Sequence, residues 1–145
     1  MRVIKFKAKN ADNAWVEGSL IQAVEKNSKG EFTVSFIVPH LPCASEGSDL
    51  WTARMYRVDP DTVCQFTGLY DSKGREIYEG DTFRLGEHVI KVVYEADRSS
   101  FVLRMIGQRN WLLPLDKLFC ESDYDGVCGN IHDSDNINSN KDVIL

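Results

Sequence analysis

The segment of residues 58–81, VDPDTVCQFTGLYDSKGREIYEGD, most constrains the fold because it holds two apolar pieces separated by a polar turn. Residues 62–69 and 77–78 are the apolar pieces, and Asp71-Ser72-Lys73-Gly74 lies between them. An Asp side chain can hydrogen-bond its own backbone, and Gly supplies the positive φ that closes such a turn. The segment therefore predicts a structural corner that joins two halves of a small β-rich protein.

The chain before this corner predicts an antiparallel sheet. Ile4, Phe6 and Ala8 alternate with three lysines, which is the period-two pattern of a strand. Residues 14–24 and 32–38 predict two further strands, and the short turns between them can only reverse the chain. Residues 50–58 regain strand character after a loop at residues 40–49. Asp59-Pro60 then predicts a short helical turn, because proline suits the first helical position.

The chain after the corner predicts a small barrel, because a sheet of short, regularly spaced strands can remove its unpaired edges by closing on itself. In the longest of these strands, His88, Ile90, Val92 and Tyr94 are predicted to face the core. Residues 114–119 predict a short helical turn. The predicted strands are residues 82–85, 88–95, 101–106, 111–113 and 127–131. The predicted divisions are residues 1–58 (antiparallel β subdomain), 59–81 (connecting corner), 82–132 (SH3-like β-barrel) and 133–145 (loose tail).

The same corner carries a resemblance to a known family. The order DPDTV, QFTGL and D-x-x-G-x-E-I-Y-E-G-D resembles the YopX proteins, which are found mainly on phage and prophage genomes. Residues 4–8 followed by Trp15, and residues 129–131, also fit this family. The resemblance implies a mostly β structure with a small SH3-like barrel, and it implies no known activity.

Charge and hydropathy restrict the function. The chain has 22 acidic and 17 basic residues and a net charge of −5, which weighs against broad binding to a phosphate backbone. No apolar run reaches the roughly 20 residues of a membrane helix, and lysines interrupt the first residues, so no signal-peptide core is predicted. We therefore expect a cytoplasmic protein with a packed core.

Two groups of residues resemble metal ligands only in part. Cys120, Cys128 and His132 form C-x7-C-x3-H, whereas structural zinc sites pair their ligands more closely and need a fourth. Asp123 and Asp125 resemble half of a calcium loop, but the later bidentate Glu is absent. Buried cysteines and a turn are the favoured interpretations, and no metal or cofactor is predicted.

The carboxylates around Tyr78 allow a catalytic and a structural interpretation. Glu79 and Asp81 share a face of an extended chain and could in principle act as an acid–base pair. The favoured interpretation is structural: Gly80 takes a positive φ, and Asp81 accepts backbone hydrogen bonds. No catalytic residue and no enzymatic activity are predicted. The candidate corner residues are Asp59, Thr62, Gln65, Thr67, Gly68, Asp71, Gly74, Glu76, Tyr78, Glu79, Gly80 and Asp81.

Two function classes follow from these observations. The first is a non-enzymatic protein-interaction module that binds a host or phage protein and can self-associate. The alternative is a binder of single-stranded nucleic acid that uses a lysine strip and aromatic stacking, although a solvated strand face or a lysine-protected edge also explains the lysines. Phe66 and Phe83 are predicted to lie in the core. The strip is Lys5, Lys7 and Lys9, and the aromatics are Phe66, Tyr70, Tyr78, Phe83 and Tyr94.

Overall fold

The computed structural model describes residues 2–40, 55–116 and 126–133. Within these ranges the chain is mostly strand, and its helical elements are the single 3-10 turns Pro60–Thr62 and Ala96–Arg98, so the predicted β class is confirmed. None of the helical elements there is long and apolar enough to cross a membrane. The strands are β1 Phe6–Lys9, β2 Trp15–Asn27, β3 Gly30–Pro39, β4 Tyr56–Val58, β5 Cys64–Tyr70, β6 Glu76–Tyr78, β7 Asp81–Leu85, β8 His88–Glu95, β9 Ser100–Met105, β10 Leu112–Pro114 and β11 Gly129–Asn130.

The chain divides into two compact units, Met1–Gln65 and Phe66–Leu145. This division falls inside the segment of residues 59–81 that the sequence predicts to be a connecting corner. Strand β5 contains the boundary, since its first two residues belong to the first unit and the others to the second.

The first unit is an antiparallel sheet with the order β4-β3-β2-β1, as predicted for the N-terminal half. Strands β2 and β3 form a long hairpin around the two-residue turn Ser28-Lys29. Strand β1 also pairs with the first two residues of β5, so it is not an edge strand. Ala8, Ile37 and Val58 are the buried centre of this unit.

The short helical turn predicted at Asp59-Pro60 is present. Asp59 caps it by accepting a hydrogen bond from the backbone N–H of Asp61 at 3.0 Å. The hydroxyl of Thr62 accepts from the backbone N–H of Lys9 at 2.8 Å, and the N–H of Asp59 donates to the carbonyl of Lys9 at 2.8 Å. Residues at both ends of the turn are therefore hydrogen-bonded to the backbone of Lys9 in β1.

The second unit contains a five-stranded antiparallel sheet with the order β10-β9-β8-β7-β11, next to the β5–β6 pairing of residues 66–78. The predicted closure into a barrel is wrong, because β10 and β11 remain the two ends of this sheet in the described ranges. Both end strands are only two or three residues long, and in the described ranges β10 pairs with β9 and β11 pairs with β7. Ile77, Phe83, Ile90, Val92 and Leu103 form the core.

Several sequence predictions for this unit need correction. Ile90 and Val92 are buried as predicted, but His88 and Tyr94 are exposed because they lie at the ends of β8, beyond the core. Pro114 does not begin a helical turn; it ends β10, an end strand that needs no further N–H donor. The predicted strand at residues 127–131 is reduced to the two residues of β11.

Other predictions lie outside the described residues. Of the predicted loop at residues 40–49, only His40 is described, and of the strand at residues 50–58 only residues 55–58 are. Residues 117–119 of the predicted helical turn and residues 134–145 of the predicted tail also lie outside them.

Candidate functional site

The predicted turn at residues 71–74 is centred on the buried carboxylate of Asp71. Its Oδ1 atom accepts from the backbone N–H groups of Lys73 and Arg75, at 2.9 and 2.8 Å. Its Oδ2 atom accepts from Nε of Arg75 at 2.9 Å and from the backbone N–H of Val127 at 3.0 Å. The N–H of Gly74 donates to the Asp71 carbonyl at 3.0 Å, and Gly74 has the predicted positive φ. One carboxylate thus closes its own turn and also binds the backbone N–H of Val127, more than fifty residues further along the chain.

These contacts determine the acidity of Asp71. Burial alone would raise the pKa of this carboxyl, because it disfavours the charged form. The backbone N–H groups of Val127, Arg75 and Lys73 and the side chain of Arg75 stabilise the anion more strongly, so the pKa is lowered from its usual 3.8. Asp71 is therefore a charged structural acceptor at neutral pH, and a lowered pKa does not suit it for general base catalysis.

Gly126 completes the surroundings of Asp71. A Cβ atom at Gly126 would lie 2.6 Å from Nη2 of Arg75 and 2.7 Å from Oδ2 of Asp71, and φ is +83°. Only glycine fits this position without displacing the ion pair. The sequence interpretation of residues 123–126 as a turn did not foresee this contact, and Asp123 and Asp125 lie outside the described residues.

The second corner, at Gly80 and Asp81, has the features that the sequence predicts. Gly80 has φ +84°, and its N–H donates to the carbonyl of Val92 at 2.7 Å. Oδ2 of Asp81 accepts from the backbone N–H of Tyr78 at 2.8 Å. A Cβ atom at Gly80 would lie 3.2 Å from both Nδ2 of Asn130 and Cγ1 of Ile131.

Asn130 is the partner of this corner that the sequence analysis missed. Its Nδ2 group donates to Oδ1 of Asp81 at 2.9 Å and to the carbonyl of Glu79 at 3.2 Å, and its Oδ1 accepts from the N–H of His132. Asp81 and Asn130 are both 1% exposed. No local signal in the sequence indicates a pair 49 residues apart.

The remaining candidate residues are distributed along the chain and do not converge on one site within either unit. Gln65 pairs with Phe6 in β1, while Asp59 and Thr62 belong to the helical turn. The hydroxyl of Thr67 donates to the carbonyl of Ile77 at 2.7 Å, and Gly68 lies where the β5–β6 register shifts. Glu76 pairs with Tyr70 in the same ladder, and Glu79 contributes its carbonyl to Asn130.

This geometry favours the structural interpretation of the acidic cluster. The Asp81 carboxylate is buried, and its two oxygens accept hydrogen bonds from a side-chain amide and a backbone N–H that hold the corner. Tyr78 is buried, with its ring centroid 5.5 Å from that of Phe66. The carboxylates of Asp71 and Asp81 therefore hold turns of the second unit, whereas Asp59, Thr62 and Gln65 belong to the first unit.

Within the described ranges, no three His, Cys, Asp or Glu side chains form a group that could hold a metal ion. Cys120, one of the three residues of the zinc-like pattern, lies outside those ranges. The thiol of Cys128 contacts Thr82, with the sulfur 3.3 Å from the Thr82 carbonyl oxygen. Cys64 is buried, as predicted, while Cys128 is exposed.

The lysine strip differs from its predicted form as a solvated or edge face. Lys9 is only 6% exposed, and its Nζ lies 5.2 Å from the centroid of the Trp15 ring. Nζ of Lys7 lies 4.6 Å from the same centroid. The two ammonium groups are thus engaged by cation–π contacts within the sheet.

The five aromatic residues considered for base stacking do not form one exposed face. Phe66, Tyr78 and Phe83 are buried, which confirms the predicted core positions of Phe66 and Phe83. Only Tyr70 and Tyr94 are about half exposed. At most two of the five rings can therefore meet a base.

The most prominent exposed surface of the first unit is the β2–β3 hairpin. Val24 is 65% exposed, Ile21 is 44% and Phe32 is 37%. Strand β1 pairs only with Trp15, Val16, Glu17 and Gly18 of β2, although β2 continues to Asn27. In the part of the chain that the structure describes, residues 19–27 of β2 therefore have one unpaired side, which we call the open edge of β2.

The open edge of β2 was not predicted, although the sequence contains a signal for it. The sequence predicts a strand at residues 14–24, and the next turn begins only after Asn27. Strand β2 is therefore thirteen residues long, whereas β1 has four residues. A strand so much longer than its neighbour must leave backbone groups without a strand partner on that side. Exposed, flat and apolar strand edges are common sites of pairing with another chain.

A family model described as YopX protein matches residues 5–137, which is most of the chain. A search of the curated proteins found no match.

Proposed function

The chain belongs to the YopX protein family, and we propose that it is a non-enzymatic protein-interaction module whose open β2 edge takes up an extended segment of a protein partner. Addition of a strand to an exposed sheet edge is a recurring mode of peptide recognition. Main-chain hydrogen bonds supply affinity in this mode, and alternating side chains supply selectivity.

The open edge is the observation that carries this proposal. It offers nine consecutive residues of extended backbone, with Val24 and Ile21 exposed beside it. An extended segment laid along residues 19–27 would satisfy the outward N–H and C=O groups and remove the apolar side chains from water. No other described feature combines unpaired strand backbone with apolar exposure over such a length.

The non-enzymatic character is supported by the use of the carboxylates. Asp71 and Asp81 are the buried acids of the candidate corner, and each already accepts hydrogen bonds that hold a turn. The phage or prophage setting implied by the resemblance makes a host or phage protein the expected partner. The cytoplasmic location expected from the sequence remains part of this proposal.

Nucleic-acid binding ranks below protein binding. Its two supports were the lysine strip and an aromatic face, and the described geometry weakens both. Lys9 is buried against Trp15, and three of the five aromatic rings lie in the core. The negative net charge adds to this ranking.

Affinity capture from host lysate with the full chain and two variants tests the proposal. Val24→Pro removes one outward N–H, which an edge strand tolerates, whereas Val24→Ala keeps the N–H and removes only side-chain bulk. We expect the parent to capture partner proteins, Val24→Ala to capture the same proteins in a smaller amount because apolar surface is lost, and Val24→Pro to lose them. Equal capture by a folded Val24→Pro protein would contradict the proposed use of this edge.

A further inference from the structure

The backbone groups of the open edge have a defined direction. The two-residue turn Ser28-Lys29 makes the flanking residues Asn27 and Gly30 a hydrogen-bonded pair. Because hydrogen-bonded and non-hydrogen-bonded pairs alternate along an antiparallel ladder, the odd-numbered residues of β2 bond to β3. The even-numbered residues direct their N–H and C=O groups outward. Those residues are Leu20, Gln22, Val24 and Lys26.

This edge lacks the usual protection against strand pairing. Residues 19–24 contain no proline and no charge, and the first charged residues are Glu25 and Lys26 near the turn. Natural edge strands are normally shortened, charged or interrupted by proline. An unprotected edge of this length favours a strand partner.

We propose that a second copy of this chain pairs antiparallel with the open edge, residue 19 to residue 27, so that Ala23 meets Ala23 of the second copy on a two-fold axis. The inference rests on the proposed function, since it names the partner for the same edge. Ala23 is the midpoint of residues 19–27, so pairing the whole edge with itself requires this register. It places Gln22 opposite Val24 of the second copy, and Leu20 opposite Lys26. These are pairs of outward-directed residues, and each forms two backbone hydrogen bonds.

Charge and sterics favour this register over its neighbours. It places Glu25 opposite the uncharged Ile21 of the second copy, so no like charges oppose each other. Registers centred on Glu25 or Lys26 would place two like charges directly opposite, which destabilises a strand pair. A register centred on Gln22 would place Lys26 of the second copy opposite Gly18. That side of Gly18 is already occupied by Phe6 of β1. A register centred on Val24 would place Leu20 opposite Ser28 in the turn.

The same register joins two apolar faces. Ile21 and Ala23 lie opposite Phe36 and Val34 in β3, and Phe32 lies opposite Glu25 on that side of the hairpin. Ile21, Ala23 and Phe32 are exposed in the single chain. Pairing two β2 strands would make one four-stranded sheet of two hairpins, in which Ala23 and Ile21 lie on the strands beside the axis and Phe32 lies one strand further out.

Sedimentation velocity of the full chain over a concentration series tests the inference with a charge exchange at the axis. Ala23→Lys and Ala23→Glu each place like charges face to face, so each variant alone should be monomeric where the parent protein dimerises. An equimolar mixture of the two should restore a dimer. The same two substitutions at Thr33, an exposed residue of β3, should leave the parent dissociation constant unchanged.

The outcomes separate this inference from the proposed function. A parent protein that is monomeric at all concentrations, or folded Ala23 variants that dimerise as the parent does, would overturn the self-pairing. If Val24→Pro still abolishes capture of other proteins in that case, the edge binds a foreign strand and the proposed function stands. Circular dichroism of each variant verifies that its sheet is intact.

Discussion

The amide of Asn130 lies 2.9 Å from the carboxylate of Asp81, and both side chains are almost completely buried. This contact joins β7 to β11, two strands separated by more than forty residues along the chain. Asp81 also accepts from the backbone N–H of Tyr78. One side chain therefore provides the acceptor for a donor in its own turn and for a donor on a distant strand.

Replacing Asp81 should therefore destabilise the second unit. Asp81→Ala leaves two buried donors without their acceptor, at a cost of about 1–3 kcal/mol in unfolding free energy. Urea unfolding at neutral pH measures this cost, and Glu87→Ala, which changes an exposed carboxylate in the β7–β8 turn, serves as the control. An Asp81→Ala protein as stable as the parent would defeat the structural interpretation and revive a catalytic one.

Gly80 allows a matched comparison with Gly86. Both have positive φ, but a Cβ atom at Gly80 would press against Asn130 and Ile131, whereas one at Gly86 meets nothing within 4 Å. Gly86→Ala should cost on the order of 1 kcal/mol from backbone strain alone. Gly80→Ala should cost more, because the neighbouring side chains must also move. Thermal melts in which the two variants are equally destabilised would show that the contact at Gly80 is unimportant.

The stability of the second unit should depend on the ionisation of Asp71. Its pKa is lowered in the folded protein, so its contribution is fully present above the unfolded value near 3.8 and is lost as pH falls through the folded pKa. Asp71→Asn should therefore be clearly destabilising at pH 7 and less so in strong acid, where the parent carboxyl is protonated as well. Denaturant unfolding at several pH values measures the difference. A stability gap between parent and Asp71→Asn that stays constant down to strongly acidic pH would contradict this role.

Binding of single-stranded nucleic acid should be weak at physiological salt. Fluorescence anisotropy with short single-stranded DNA and RNA provides the measurement, and the parent protein should show no micromolar affinity. Micromolar binding that falls steeply with salt and is lost in a Lys5→Gln, Lys7→Gln variant would reverse the ranking of the two functions.

The local features of this fold could be predicted from the sequence. Alternation around Phe6 and between residues 32 and 38 identified β1 and β3, and the Asp59-Pro60 pair identified the 3-10 turn. The positive φ at Gly80 and the acceptor role of Asp81 also followed from their positions. Each of these features depends on interactions within a few residues.

The features that were missed depend on distant pairing. Closure of a sheet requires its first and last strands to meet, and no periodicity records whether β10 reaches β11. The contact of Asn130 with Asp81 and the burial of Lys9 against Trp15 likewise arise only when separate strands are aligned. The open edge of β2 could be predicted only by comparing the lengths of β1 and β2, two strands that pair with each other.

Site-specific photo-crosslinking in cells that express the chain tests most directly whether the open β2 edge is the interaction surface. A photoreactive residue at position 22 should form protein adducts that disappear when Val24→Pro is added, while the same residue at position 87, in the β7–β8 turn, should form few. An adduct of twice the chain's mass would identify a second copy, and a different mass would identify another protein. Absence of adducts from position 22, or adducts that persist with Val24→Pro, would contradict the central claim.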